Sequence, residues 1–253
     1  MFIEWTDEQR TIYLVKGGVI MNQENTDMFS LENSKSPLYL HVAKTYAWMA
    51  AGLMITFLTA LLFCWTGAIL WVLTVPLSSV ILLICELALV IFLTGRLEKI
   101  TVSKAKAMFM VYSVVSGIAL TPIFLVYDMG SIVYVFGITA LFFGVMAVGG
   151  LVTKKDLSRF GPLVVVALIT LLILTVVNLI LSVPAFDMFI TYLGVLIFLG
   201  VTAYDSNKIR SYYYNFENQP EMLEKVAIIS ALNLYLDFLN LFLYILKLLG
   251  KKK

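Results

Sequence analysis

Charge is what this chain has least of. Asp, Glu, Lys and Arg make up 13% of its 253 residues, about half the share usual in a soluble domain. Histidine is nearly absent: the single residue, His41, stands at the start of the first apolar run, so an HExxH metalloprotease helix is excluded. The two cysteines, Cys64 and Cys85, lie in or beside apolar segments without a neighbouring histidine, which excludes both a zinc site and a disulfide framework. No GxxxxGK[ST] phosphate loop occurs. A net charge of +2, with its basic residues clustered between apolar runs, is a topology signal and no footprint for nucleic acid. No short apolar core followed by a small-residue cleavage site opens the chain, so no cleavable signal is expected.

What is abundant is apolar sequence, 61% of the residues. With a mean hydropathy of +0.94 this reads as an all-α, polytopic membrane protein. Seven apolar runs fall near 40–63, 68–94, 106–127, 131–152, 162–182, 187–206 and 226–249. Each is long enough for a spanning helix, the element that satisfies its own backbone groups in lipid. Short connections make neighbours antiparallel. Gly117, Gly137, Gly144, Gly149, Gly150, Gly194 and Gly200 mark expected close helix contacts. Kinks are expected at Pro76 and Pro122, and Pro184 reads as a helix end.

Positive charge alternates between connections. Arg96, Lys99, Lys104 and Lys106 join runs two and three, Lys154, Lys155 and Arg159 join four and five, and Lys208, Arg210 and Lys225 join six and seven. The links after runs one, three and five carry only Asp128 and Asp187. This places the N-terminus and the basic links in the cytoplasm. Seven spans then leave Lys251, Lys252 and Lys253 outside, against the same rule. The last run either spans regardless, which its apolar length favours, or is re-entrant. The domain reading is an N-terminal cytoplasmic segment 1–38, a membrane domain 39–250 and a basic tail 251–253. Residues 1–20 look unlike the rest. Codons for Lys16-Gly17-Gly18 can spell a ribosome-binding site just before Met21, so translation from Met21 in a bacterial gene is expected.

The most informative residue is Asp237, inside VAIISALNLYLDFLNLFLYILKLLG. A carboxylate near the middle of a membrane helix costs roughly 2.5–3.5 kcal/mol on insertion scales and must face other helices or water. Ser230, Asn233, Asp237, Asn240, Tyr244 and Lys247 recur at steps of three and four, so they share one helix face. That face belongs in the bundle interior or along a water-filled path. A second acid, Asp205 in GVTAYDSNKIR, closes the sixth run. It reaches Asp237 if its helix continues through SNKIRS; otherwise it is a solvated helix end paired with Lys208. Glu86 is a third acid, in LLICELALVIF, with Ser79 on the same face, and Arg96 ends that helix. Tyr212, Tyr213, Tyr214 and Phe216, in the last loop, read as an interfacial aromatic belt in preference to a stacking surface.

VTAYDSNKIR followed by ALNLYLDFLNLFLYILKLLG resembles the C-terminal signature of the transmembrane Bax-inhibitor-motif family, with its closest likeness to bacterial inner-membrane members. MFMVYSVVSGIALTPIFLVY and KKDLSRFG agree, so the likeness covers roughly residues 38–250. The resemblance implies a seven-transmembrane-helix bundle with a central C-terminal helix. It also implies a pH-sensitive calcium leak governed by a hydrogen-bonded aspartate pair, matched here by Asp205 and Asp237. The family's helix-two acid and arginine map to Glu86 and Arg96. One departure stands out: the loop between the two aspartates looks longer than in compact members.

Residues and resemblance point to one mechanism. Two carboxylates sharing a site cannot easily both ionise, so the pair holds a proton. Gain or loss of that proton changes its attraction to Arg96 and can rock helix six against seven. Ca²⁺ takes 6–8 oxygen ligands when held tightly. Asp205, Asp237, Asn233 and Asn240 offer fewer, which suits a weak, transient site for a permeant ion. Glu86, Ser230 and Tyr244 would line the path. No resident cofactor and no catalytic residue is expected; the partners are lipid, Ca²⁺ and H⁺. A non-conducting regulator that binds other membrane proteins, such as a membrane protease, is the alternative. An intramembrane aspartyl protease also pairs two aspartates, one in a Tyr-Asp dipeptide, but its second lies in Gly-x-Gly-Asp. Asp237 stands in Leu-Tyr-Leu-Asp, too bulky for a substrate backbone to approach.

Overall fold

The computed structural model describes the backbone of residues 14–16, 19–21, 23–75 and 77–253, and the side chains from residue 37 onward except 71, 76, 79 and 83. Most of the start-site reading, the Pro76 kink and the Ser79 side chain lie outside the described residues. Two three-residue strands, β1 (Leu14–Lys16) and β2 (Val19–Met21), pair antiparallel. The chain divides into two compact units, Met1–His41 and Val42–Lys253.

The helices are α1 (Gln23–Trp65), α2 (Ala68–Thr74), α3 (Ser78–Gly95), α4 (Val102–Val126), α5 (Met129–Val152), α6 (Gly161–Leu181), α7 (Pro184–Phe216) and α8 (Pro220–Leu249). A 3₁₀ turn, Ser158–Phe160, precedes α6. Among the described residues six helical segments are long and apolar enough to cross a membrane: Pro37–Trp65, Val102–Val126, Met129–Val152, Ser158–Leu181, Pro184–Phe216 and Pro220–Leu249. The expected second span, 68–94, is instead broken into α2 and α3, leaving the shorter apolar helix Val80–Gly95. Val75 is extended at φ −78°, ψ 120°, as a residue before proline prefers, and Leu77 sits in the left-handed region at φ 59°.

Local signals account for the other boundaries. Thr101 accepts the Lys104 amide and caps α4, and Asp128 accepts the Ser131 amide and caps α5. Ser182, left-handed at φ 52°, ends α6, and Pro184 opens α7, where its missing N–H costs nothing. Pro122 is accommodated inside α4.

α8 is the central element. In its most apolar stretch 72% of the residues are buried, against 11% in the span containing α6. It packs on α4, α5 and α7, and α7 packs in turn on α5 and α6. α8 is one uninterrupted helix whose ends meet opposite ends of the bundle. Near its start, Glu224 pairs with Lys44 and with Lys106, the latter at 3.5 Å. Near its end, Lys247 pairs with Asp187 at 2.6 Å. Beyond α8, the Lys251 amide donates to Ser131 Oγ at 2.8 Å and its carbonyl accepts the Asp128 amide at 3.0 Å. The basic tail thus folds onto the α4–α5 link, at the end of the bundle that carries no basic connection. This geometry favours the spanning alternative over the re-entrant one.

Candidate functional site

The longest departure from the sequence expectation brings the site together. Asp205 does not close its helix: α7 runs on to Phe216, so Asp205 lies well inside it. Tyr212, Tyr213, Tyr214 and Phe216 belong to this helical extension and not to a loop. Only residues 217–219 separate α7 from α8, so the seemingly long loop between the aspartates is helix on both sides. The carboxylates of Asp205 and Asp237 are electrostatic neighbours across the α7–α8 seam.

Asp237 is 4% exposed, and its Oδ2 has no hydrogen-bond partner among the described residues. One oxygen of the Asp237 carboxylate is thus unclaimed beside Asp205. Ser230, two turns earlier on the same face and 4% exposed, likewise has an unpartnered Oγ. Orphaned buried polar atoms in native folds usually mark a water or an ion. Asn233 is partly buried between them. Asn240 donates its amide to the Leu236 carbonyl one turn back at 2.8 Å. Tyr244 packs its ring on Gly194, where a Cβ would come within 2.6 Å of it.

One participant, Tyr46, escaped the sequence reading, and Lys208 stands beside Asp205 as one of its two alternatives had it. The Tyr46 hydroxyl on α1 shares a 2.9 Å hydrogen bond with Ser206 Oγ, next to Asp205, and Tyr46 feels the charge of Asp237. Lys208 interacts electrostatically with Asp205 while lying over the rings of Tyr204 and Tyr212, at 5.6 and 5.3 Å. Lys208 meets residues three and four positions away on its own helix, a spacing visible in the sequence, whereas the Tyr46 contact depends on which helix lies opposite.

The other acid and its arginine are placed apart from each other. Glu86 accepts a 2.7 Å hydrogen bond from Ser116 on α4 and interacts electrostatically with Tyr112 and Tyr235. Tyr235, two residues from Asp237, meets Thr56 Oγ1 at 2.6 Å, and Thr56 donates its own proton to the Ser113 carbonyl at 2.9 Å. Tyr235 is therefore the donor to Thr56. Arg96 is exposed beyond the C-terminus of α3, with its guanidinium 5.1 Å from the Phe92 ring centroid; among the described residues it makes no ion pair with either aspartate.

Much of the TAYDSNKIR signature is a clamp. The Asn207 amide donates to the carbonyls of Gly150, Thr153 and Lys155 at 3.0, 3.2 and 3.2 Å, while its oxygen accepts the Leu157 amide at 3.0 Å. Arg210 donates to the Leu151 and Thr153 carbonyls at 3.0 and 3.1 Å. Together they satisfy the orphan carbonyls at the end of α5 and hold the KKDLSRFG link. In that link the Ser158 backbone amide, then its hydroxyl, hold the Asp156 carboxyl below the usual range, with the charge of Arg159 adding to the effect. Gly150 permits the clamp, because a Cβ there would lie 2.1 Å from the Ala203 carbonyl oxygen. Gly117 and Gly194 are close contacts too, but a Cβ at Gly137, Gly144, Gly149 or Gly200 would meet nothing within 4 Å. Among the described residues no cluster of three or more His, Cys, Asp or Glu could hold a metal ion.

A family model described as Inhibitor of apoptosis-promoting Bax1 matches residues 39–253. Inner membrane protein YbhL of Escherichia coli (strain K12) is 36% identical over 226 residues, spanning 88% of this chain and 97% of that protein. An uncharacterized protein of Borreliella burgdorferi is 38% identical over 176 residues, 70% of this chain and 76% of its own. An uncharacterized protein of Deinococcus radiodurans is 34% identical over 208 residues, 82% and 88% respectively.

Proposed function

The chain belongs to the Bax1 inhibitor family, and from that premise we propose that it is a pH-sensitive calcium leak, gated by the protonation of Asp205 and Asp237. The observation that carries the reading is the unclaimed oxygen of Asp237. It sits on the most buried of the candidate spans, beside a second carboxylate, two turns from a second orphaned polar atom on the same face. An apolar interior does not keep such groups for packing alone. Water or a passing cation satisfies them.

The chemistry needs no enzyme step and no resident cofactor. Two like charges in one low-dielectric site are costly, so the pair holds a proton until the pH rises far enough to remove it. Removal places two negative charges across the α7–α8 seam. Lys208 is the cation that faces Asp205, and the Tyr46–Ser206 hydrogen bond ties α1 to the same point. A change of charge there therefore acts on three helices. Ca²⁺ would find Asp205, Asp237 and the carbonyl oxygens of Asn233 and Asn240 as partial ligands, completed by water. So few ligands allow the ion to leave as well as enter. Ser230, Tyr244 and Glu86 extend the polar route, and Arg96 modulates it from the end of α3. The family membership and the inner-membrane relative support placement in a bacterial cytoplasmic membrane, and the clustering of positive charge in alternate links supports those links lying inside.

The test is flux of Ca²⁺, K⁺ and H⁺ through purified protein in liposomes, followed against pH. Calcium flux that depends on pH in the wild type and loses that dependence in Asp237→Asn is expected. Folded protein that passes no ion at any pH would replace this reading with the non-conducting regulator.

A further inference from the structure

A large cavity lies beside the aspartate site and not in it. It is an apolar groove of about 720 Å³ between α1 and α5. Met49, Leu53 and Phe57 form one wall, Phe136 and Gly144 the other, and Phe238 of α8 the floor. From Val133 to Leu151 the α5 wall runs about 27 Å, at 1.5 Å per residue, close to the roughly 30 Å hydrocarbon thickness of a bilayer. The groove therefore spans the depth at which acyl chains lie.

Charge at one end identifies the occupant further. The wall ends at Leu151, and Lys154 and Lys155 follow within four residues on the same chain, both exposed. Among the described residues neither enters an ion pair. The clamp holds them there: Asn207 binds the Lys155 carbonyl and Arg210 the Thr153 carbonyl, so this link is positioned by α7. Two exposed lysines, three and four residues beyond the last lining residue of an acyl-sized groove and without an ion pair among the described residues, match a lipid with a negative headgroup. We propose that the α1–α5 groove is a binding site for an anionic glycerophospholipid, with an acyl chain between α1 and α5 and the headgroup phosphate at Lys154 and Lys155. The groove touches the gate at Tyr46, which lines it and bonds Ser206, but the binding claim stands without any ion leak.

Native mass spectrometry of the purified chain with phosphatidylglycerol or phosphatidylcholine of matched acyl chains tests it. The wild type should retain one phosphatidylglycerol through detergent exchange and activation that strips the rest. Gly144→Leu fills the groove at a position where a Cβ meets nothing within 4 Å, and should lose that retained lipid. Ala140→Leu lines the same groove and serves if the first variant does not fold. Lys154→Gln with Lys155→Gln should keep a lipid but lose the preference for phosphatidylglycerol, roughly fivefold for each lysine removed. Equal retention by the filled variants means annular lipid only and overturns the site. A wild-type dimer that Gly144→Leu dissociates would assign the groove to a second copy and overturn it equally.

Discussion

α6 and α8 are opposites, and the contrast inverts the rule for soluble proteins. The α6 span is almost unbroken Leu, Ile and Val and is the least buried of the candidate spans; α8 carries the polar stripe and is the most buried. In water, the apolar helix would be the core. In lipid, apolar side chains gain little by leaving tails as apolar as themselves, so polar groups and close backbone packing decide which helix goes inside. Leu172, Leu179 and Ile180 of α6 accordingly stay exposed, while Asp237, Ser230 and the buried Tyr235 hold the centre.

The sharpest way to break this comparison is at the helix seams. Gly150→Leu should abolish folded protein, because the new side chain meets the Ala203 backbone and no flexible end can yield. Overpacking typically costs about 1–3 kcal/mol, and the upper end or beyond is expected against backbone. Gly137→Leu, on the open face of the same helix, should leave yield and thermal stability unchanged. Similar losses for both, in a detergent-solution melting assay, would mean that α5 is not seated as described.

Next in size is the charge at the centre. Asp237→Asn should remove most of the pH dependence of calcium flux while lowering folded yield little, since the amide keeps the shape without the titration. Asp205→Asn should do the same, and the double variant should add little, because the two act as one unit. A wild-type pH profile in both single variants would reduce the pair to structural glue.

Asn207→Ala should come third. It strips an amide donor from three carbonyls and an acceptor from the Leu157 amide, for about 1–3 kcal/mol. Hydrogen exchange or limited proteolysis should find the 153–160 link opened while α8 stays protected. Arg96→Gln should matter less, moving the flux midpoint upward by under about one pH unit, because an exposed charge is well screened by solvent.

Asp156→Ala should be smallest. Hydrogen bonding depresses its folded-state pKa, so what it contributes is present above the unfolded value near 3.9 and fades as the pH falls through the folded value. The variant should therefore match the wild type in a thermal melt at strongly acid pH and fall slightly below it at neutral pH. A larger gap under acid conditions would contradict the sign.

Much of this was legible in the residues. The order of the apolar runs and the all-α membrane class follow from composition, and the shared face of the last helix's polar residues from a period of three and four. The family resemblance rested on two motifs that lie against each other in the fold. The break between α2 and α3 was not legible as such, because hydropathy sums over a turn that Val75 and Leu77 make with apolar side chains. The end of α7 was misplaced for the converse reason: SNKIRSYYYNF is polar and aromatic, yet stays helical because Asn207 and Arg210 spend their donors on α5 and Lys208 lies over flanking tyrosines.

By itself the sequence determined the solvent, the all-α class and the one face that the polar residues of α8 share, since each follows from side-chain polarity at fixed helical spacing. Tertiary structure alone decided the rest. It chose which acid faces Asp237, brought Tyr46 and Ser206 to that point, kept Arg96 in solvent, and made half of a recognisable motif into a clamp. Those outcomes depend on which helices lie side by side. Periodicity along one helix carries no information about its neighbour; the close approaches at Gly117, Gly150 and Gly194 do.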